Sequence, residues 1–394
     1  MNDLFPSAAA TAPLPLSRSG RPRGRASALL LVSELEDFTI SFANGVAAHV
    51  PVILGVPRRQ YAGLAEWFDP AVDLRLLDWP RHSSLRNPLF LASLLRLVRR
   101  ERPGVIHLLS NNTLWLNLAA PFWRDTPLVT TVHDVTMHPG DAETGKLPVW
   151  ATTLMARQSR DLVVHGEALR DMAADRFAKP RRQVHVLSHP AILRYAELAR
   201  REGLARRSEG TFTVLLFGRI YAYKGIELMI RAEALTREIP NLRIVIAGRG
   251  DDPRMFRDRM GDPGRYDIRN RFIPDPEVAQ LFLDADVVAL PYAEGSQSGV
   301  LQIAAAFGKP VVATDVGEIG TTVREAGIGI VVRPGDAPGL AHAMERLAAK
   351  PRLREAFGSR AAAWANGENA PAAVGAEAAR LYRRLAAARH EVAT

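Results

Sequence analysis

Cysteine is absent from all 394 residues, which excludes a disulfide framework, a thiolate nucleophile and a thiolate metal site. No run of 18 or more apolar residues occurs, so no stretch reads as a membrane-spanning helix. Residues 1–25 are rich in Ala, Pro, Ser and Arg and carry no apolar stretch of signal-peptide length; they read as a disordered, basic lead-in. Also missing are a G-x-G-x-x-G fingerprint after the first strand, a Walker loop, a G-x-S-x-G nucleophile elbow and an H-E-x-x-H zinc spacing. With no cysteine and no export signal, a cytoplasmic protein is expected.

What is present is enough for two domains. Lys and Arg exceed Asp and Glu by 51 to 42, with 24 against 18 through residue 200 and 27 against 24 after it. The basic excess in the first half favours anionic partners such as nucleotides or lipid headgroups, and no nucleic-acid partner is expected. Short apolar runs predict buried parallel strands at Ser27–Val32, Val50–Gly55, Leu74–Leu77, Val105–Leu109, Leu128–Val132, Asp161–Val164 and Val184–Leu187. The loop Ser33–Asn44 leads to a helix near Gly45. Leu85–Arg102 is strongly amphipathic, with Leu89, Phe90, Leu94, Leu95, Leu97 and Val98 inward and Arg96, Arg99, Arg100 and Arg102 outward. A solvated face is the plain reading; contact with an anionic membrane surface is the other.

A charged, helical stretch from Leu193 to Gly210 separates this half from a fresh α/β cycle. Strands at Phe212–Phe217, Leu242–Ala247, Ile268–Ile273, Val287–Leu290, Val311–Thr314 and Gly329–Val332 alternate with helices such as Ile226–Arg237, Glu277–Ala285 and Val300–Phe307. Such alternation predicts a second doubly wound parallel sheet. The domains expected are 26–205 and 206–370, with 371–394 as a final helix.

Ligands of open α/β sheets bind beyond the carboxyl ends of strands, and the chemistry-bearing residues cluster there. Glu294, Gly295, Ser296, Gln297, Ser298 and Gly299 follow one strand and lead into the apolar helix containing Val300, Leu301 and Gln302. The N–H groups from Ser298 to Leu301 and the positive helix end favour a phosphate. Arg219 and Lys224 follow another strand and suit a diphosphate clamp that needs no metal. Gly248-Arg249-Gly250 gives the backbone room near a ligand, and Gly218 and Gly248 are donor-binding candidates. His133, His165 and His189 stand at three strand ends, but nothing in their spacing indicates a metal site; His107, inside a strand, reads as core. Asp284 and Asp286 resemble a D-x-D metal motif, yet they precede their strand, so they read as helix-end and turn residues.

In order along the chain, Phe217-Gly218-Arg219, Tyr223-Lys224-Gly225-Ile226, Ala247-Gly248-x-Gly250, Phe272-Ile273-Pro274, Ala285-Asp286-Val287-Val288, Leu290-Pro291-Tyr292, Glu294 and Gly308-Lys309-Pro310-Val311-Val312-Ala313-Thr314 resemble glycosyltransferase family 4. Pro103-Gly104-Val105-Ile106-His107 and Thr131-Val132-His133-Asp134 agree in the first half. The resemblance implies a GT-B fold, two Rossmann-like domains about a cleft. It implies a retaining enzyme that moves sugar from a UDP- or GDP-sugar donor to a glycan or lipid-linked acceptor, in polysaccharide or glycolipid synthesis, with no metal or other cofactor. Glu294 would lie against the donor sugar, Arg219 and Lys224 on the diphosphate, and His133 would reach the sugar. Backbone at Phe272 and Ile273 would meet the nucleobase. The family's second Glu falls on Gln302, where an amide would grip the ribose. The final helix would brace the N-terminal domain. The rival readings are a silent nucleotide-sugar-binding subunit and a nucleotide-sugar epimerase. A protein peripheral to the inner membrane face fits the basic tail.

Overall fold

Runs of Val, Ile, Leu and Ala with polar residues only at their ends have two faces to bury, and each becomes a short parallel strand. The computed structural model describes residues 27–80, 84–111, 114–135, 149–207, 210–236 and 239–393; the basic lead-in read from residues 1–25 lies outside them. The first sheet contains β1 (Ala28–Leu31), β2 (Val52–Pro57), β3 (Val72–Leu77), β4 (Val105–Leu108), β5 (Leu128–Thr131), β6 (Asp161–Val164) and β7 (Val184–Val186), in the order β3-β2-β1-β4-β5-β6-β7. The second contains β8 (Phe212–Phe217), β9 (Leu242–Gly248), β10 (Tyr266–Asn270), β11 (Val287–Leu290), β12 (Val311–Thr314) and β13 (Gly329–Val332), in the order β10-β9-β8-β11-β12-β13. Every strand pairing is parallel.

Helices cover the sheet faces. With the first sheet come α1 (Glu36–Ala47), α2 (Arg58–Tyr61), α3 (Asn87–Glu101), α4 (Leu114–Ala119), α5 (Val149–Gln158) and α6 (Glu167–Phe177). Then follow α7 (Arg194–Arg201), α8 (Ile226–Glu233), α9 (Asp275–Asp284), α10 (Gly299–Ala306), α11 (Gly317–Glu325), α12 (Ala337–Ala349), α13 (Pro351–Asn366) and α14 (Pro371–Ala393). Local chemistry sets their starts: Glu36 and Asp37 lie in the first turn of α1, and Asp336 caps α12 by accepting from Gly339 N at 2.8 Å.

Three expectations need correction. The helix after β1 begins at Glu36 and not near Gly45, because the acidic pair favours the helix N-terminus and Phe38, Ile40, Phe42 and Val46 supply its buried side. β10 ends at Asn270, which leaves Phe272 and Ile273 in the following loop, the first 63% exposed and the second buried. On α3 the buried stripe is only Phe90, Leu94 and Val98, four residues apart each time; Leu89 is 70% exposed, while Leu95 and Leu97 are half-buried against the core. Helices α2, α4, α5, α6 and α11 were not anticipated; α2 and α4, of four and six residues, are too short to show a helical period.

The chain crosses from the first sheet to the second through α7 and returns through α14. Val374, Ala378, Leu381 and Tyr382 of α14 join the same core cluster as Ala28, Leu30 and Val105. Helices α14 and α1 meet backbone to backbone: a Cβ on Gly375 would lie 2.0 Å from the carbonyl O of Gly45, and one on Gly45 would lie 1.9 Å from that of Pro371. Both carbonyls belong to helix backbone, so relief requires the two helices to move apart. Gly375→Ala should therefore cost roughly 1–3 kcal/mol through overpacking, seen as a lower urea midpoint at constant slope. An unchanged midpoint would show that α14 slides off α1 at no cost.

Candidate active site

In the second sheet the strand order reverses between β8 and β11, and the loops that follow these two strands open a crevice at that point. They are pressed together. Gly225 has φ 71°, and a Cβ there would lie 1.7 Å from the carbonyl O of Pro291; Gly248 has φ 149°, and its Cβ would lie 1.7 Å from that of Gly218. Only glycine allows such an approach. Ala293 N donates to Tyr223 O at 2.8 Å, joining the two loops directly.

Gly218, Arg219, Lys224, Pro291 and Tyr292 line the hollow so formed. Lys224 Nζ lies 3.8 Å from the ring centre of Tyr292 and 5.0 Å from that of Tyr223, which fixes the cation over two aromatic faces. Arg219 is exposed, 5.8 Å from the Tyr221 ring. Glu294 is exposed on the loop after β11. That loop ends at Ser298, whose side chain caps α10 by accepting from Leu301 N at 3.4 Å and meets Tyr292 Oη at 3.2 Å. A Cβ on Gly218 would touch Val300 Cγ2 at 3.5 Å, so the first turn of α10 adjoins the two cations. The clamp and the helix N-terminus read from separate stretches of sequence are thus neighbours. Phe272 lies beyond β10 with the Arg249 guanidinium 5.5 Å from its ring, and Ile273 is buried in the core behind it.

The three strand-end histidines of the first half converge. His133 Nε2 donates to Leu109 O at 2.8 Å, His165 Nε2 is 3.1 Å from His133 Nδ1, and His165 Nδ1 is 2.9 Å from Leu187 O. Phe38 lays its edge or face against all of them, with ring centres 4.7, 5.5 and 5.0 Å from His133, His165 and His189. Burial lowers the pKa of His133, of His165 far more so, and brings His189 to about 3. Neutral imidazoles of this kind offer hydrogen bonds, not charge, to a ligand. Among the described residues, no group of three potential metal ligands is disposed to hold an ion. His107 lies deeper, wholly buried and bonded to Tyr382 Oη at 2.6 Å and Thr131 Oγ1 at 2.8 Å, as a core residue should be.

A second hollow lies between the histidines and α10, lined by His165, His189, Gln297, Ser298, Gln302 and Glu318. Gln302 is two residues beyond Val300, hence on the far side of α10 from Arg219 and Lys224. Its Oε1 accepts from Asn369 Nδ2 at 2.7 Å, and the same Nδ2 is 3.0 Å from His189 O. Gln302 therefore does not share the hollow of the two cations. Asp286 accepts from Arg206 at 2.8 Å and from Thr213 N at 2.9 Å, and Asp284 accepts from Arg207 N at 2.6 Å, so both are structural. Phe38, Asn369 and Glu318 were not singled out from the sequence. Only a Phe among acidic residues after a strand hinted at the first; nothing local marked the other two.

Two family profiles cover most of the chain: "Glycosyl transferases group 1" matches residues 211–350, and "Glycosyl transferase 4-like domain" matches residues 37–189. Among characterised proteins, the chain is similar to an alpha-D-kanosaminyltransferase of Streptomyces kanamyceticus, 30% identical over 284 residues, which are 66% of this chain and 71% of that one. It is also similar to a D-inositol 3-phosphate glycosyltransferase of Actinosynnema mirum, 29% identical over 307 residues, 71% of this chain and 72% of the other. The fold is that of HepE of Anabaena, solved in complex with UDP-glucose, with a TM-score of 0.68 over 90% of this chain and 99% of that one at 17% identity.

The buried histidines give stability a sign with pH. His107 and His189 are both held near 3 by burial, below an ordinary value of 6.5. A depressed folded pKa leaves stability intact above 6.5 and removes it as pH falls toward 3, since the unfolded chain binds protons first. Each of the two should remove roughly 1.4 kcal/mol per pH unit below about pH 6, and His133 and His165 act in the same direction. Urea titrations at pH 7 and pH 5 should differ by at least 2 kcal/mol on this basis. Equal stability would mean the rings are solvated.

Proposed function

This chain belongs to the group 1 glycosyltransferases of two-domain GT-B architecture, and on that premise we propose that it transfers a sugar from a UDP- or GDP-sugar to a glycan or lipid-linked acceptor. The transfer retains the anomeric configuration and needs no metal. One observation carries the reading: Arg219 and Lys224 after β8 stand beside the capped N-terminus of α10 after β11, at the point where the strand order reverses. Two cations and a helix end converging on one hollow suit a diphosphate, and they stabilise the charge it gathers as the sugar leaves. Glu294, at the loop mouth, lies against the donor sugar in this reading. His133, whose one N–H goes to Leu109 O, stands on the opposite wall facing the sugar, and Phe272 with Arg249 flanks the base. Gln302, whose amide oxygen is held by Asn369, stands on the side of α10 away from the two cations, and its ribose contact remains part of the proposal. HepE, solved with UDP-glucose, and relatives named for sugar transfer support the assignment.

Labelled UDP- and GDP-sugars incubated with extract-derived acceptors in EDTA should give transfer with retained configuration. Inversion or a strict metal requirement overturns the mechanism. Donor binding without turnover would favour a silent binding subunit, and conversion without acceptor an epimerase. Arg219→Ala and Lys224→Ala should each lower turnover by ~10²–10³, with the urea midpoint nearly kept. Wild-type turnover in both would place the clamp elsewhere.

Peripheral attachment to an anionic inner membrane surface completes the proposal. Leu85 and Leu89 are 97% and 70% exposed, Phe122 is 65% exposed, and Arg96, Arg99 and Arg100 are exposed on α3. Exposed apolar side chains and the exposed arginines of one helix suit an anionic interface. No helix among the described residues is long and apolar enough to cross a membrane. The protein should pellet with vesicles containing anionic lipid at low salt and lose that binding in Leu89→Asp; equal pelleting with neutral vesicles refutes the attachment.

A further inference from the structure

Helix α6 of the first half has Gly166 at its N-cap and so no side-chain cap of its own, and its first N–H groups need a partner. The partner comes from the other half of the chain. Ala168 N donates to Glu318 Oε1 at 2.9 Å, and Glu318, in the first turn of α11, is only 9% exposed. A carboxylate on a helix N-terminus gains from the dipole and from a charge-assisted bond, more so away from water. The fit is close enough to dictate the residue opposite. A Cβ on Gly166 would lie 1.9 Å from Glu318 Cδ, yet its φ of 179° is extended backbone open to any residue. Glycine is needed there for space, not for conformation.

The other end of Glu318 is tied to the loop of the proposed donor site. Glu318 N donates to Ser296 O at 2.9 Å. Gly317 has φ 48°, and a Cβ on it would lie 2.1 Å from Gly295 O and 2.8 Å from Ser296 O. The start of α11 is thus wedged against the loop that runs from Glu294 to the cap of α10 at Ser298. Any motion that parts the two halves pulls the carboxylate from Ala168 and strains the loop that presents the anion site.

We propose that Glu318 is a positioning residue, a latch that holds the two halves closed by capping α6 across the cleft and in doing so fixes the 294–298 loop for the reaction. Its role in turnover rests on the transfer reaction proposed above; its role as a latch does not.

Exchange of the Ala168 amide, read by NMR, and turnover together test it in Glu318→Ala, Gly166→Ala and the double variant. Each single change should speed Ala168 exchange and lower turnover about tenfold, with binding of the free nucleoside diphosphate, UDP or GDP, kept within about twofold because those contacts lie in the second half. Gly166→Ala should add nothing in the Glu318→Ala background, since the added methyl then has no carboxylate to displace; a tenfold effect lost in this way is a coupling of about 1.4 kcal/mol. Glu318→Gln, which keeps an acceptor without the charge, should fall between. Wild-type exchange at Ala168 in Glu318→Ala, additive effects in the double variant, or nucleotide affinity and turnover falling in parallel would each overturn the latch. If no donor supports transfer in the parent protein, the proposed reaction fails, and the exchange measurements alone still decide the latch.

Discussion

Arg194 sets the relation on which the cleft depends. It opens α7, where the chain leaves the first sheet, and its guanidinium is 8% exposed. It binds Asp37 of α1 on one side and Asp275 of α9 on the other, the latter at 2.7 Å, while Tyr195 Oη donates to Asp37 at 3.0 Å. One buried cation thus holds a carboxylate from each half. Burial opposes its charge, but the two carboxylates keep it charged. Such a triad is a poor source of net stability, because desolvation offsets much of the attraction. Its value is geometric: a planar fork satisfied on two edges admits one arrangement of its partners. The apposition of the histidines to α10, the bridge from Gln302 through Asn369 to His189, and the reach of Glu318 to α6 all require the halves to be at that angle.

The cleft has two unlike walls. On the second-half side lie fixed cations and a helix N-terminus, with Lys224 pinned over two tyrosine rings. On the first-half side lie imidazoles that burial keeps neutral and that spend one nitrogen each on backbone carbonyls. A ligand with an anionic end and a hydroxyl-rich end matches that division, because charge is stabilised where charge is fixed and hydroxyls where neutral donors and acceptors line up. The glycines at the loop crossings contribute by letting backbone carbonyls approach, which brings three strand ends within reach of one small group.

The sequence by itself determined the layered α/β plan, because strands buried on both faces must be apolar throughout and parallel strands must alternate with helices. Twelve of the thirteen strands could be placed to within two residues at each end, and Arg219, Lys224, Ser298 and Gly299 were legible because their loops follow apolar runs directly. His107 was legible as core for the same reason. Less visible were contacts between residues far apart in the chain. The three histidines carry no mutual spacing, and their convergence follows from β5, β6 and β7 being adjacent and in register. Leu89 reads as inward by hydropathy alone, but the helix is rotated by Phe90, Leu94 and Val98, which find the sheet. Gln302 matched a ribose-binding position by count; that the turn of α10 sets it opposite Val300, bonded to Asn369, was not legible locally. Glu318 and Gly166 are 152 residues apart (318 − 166) and neither neighbourhood announces the other. Local sequence fixes which elements form, through propensity and periodicity; which side of each element meets which partner is decided by packing over the whole chain, and only the tertiary structure records it.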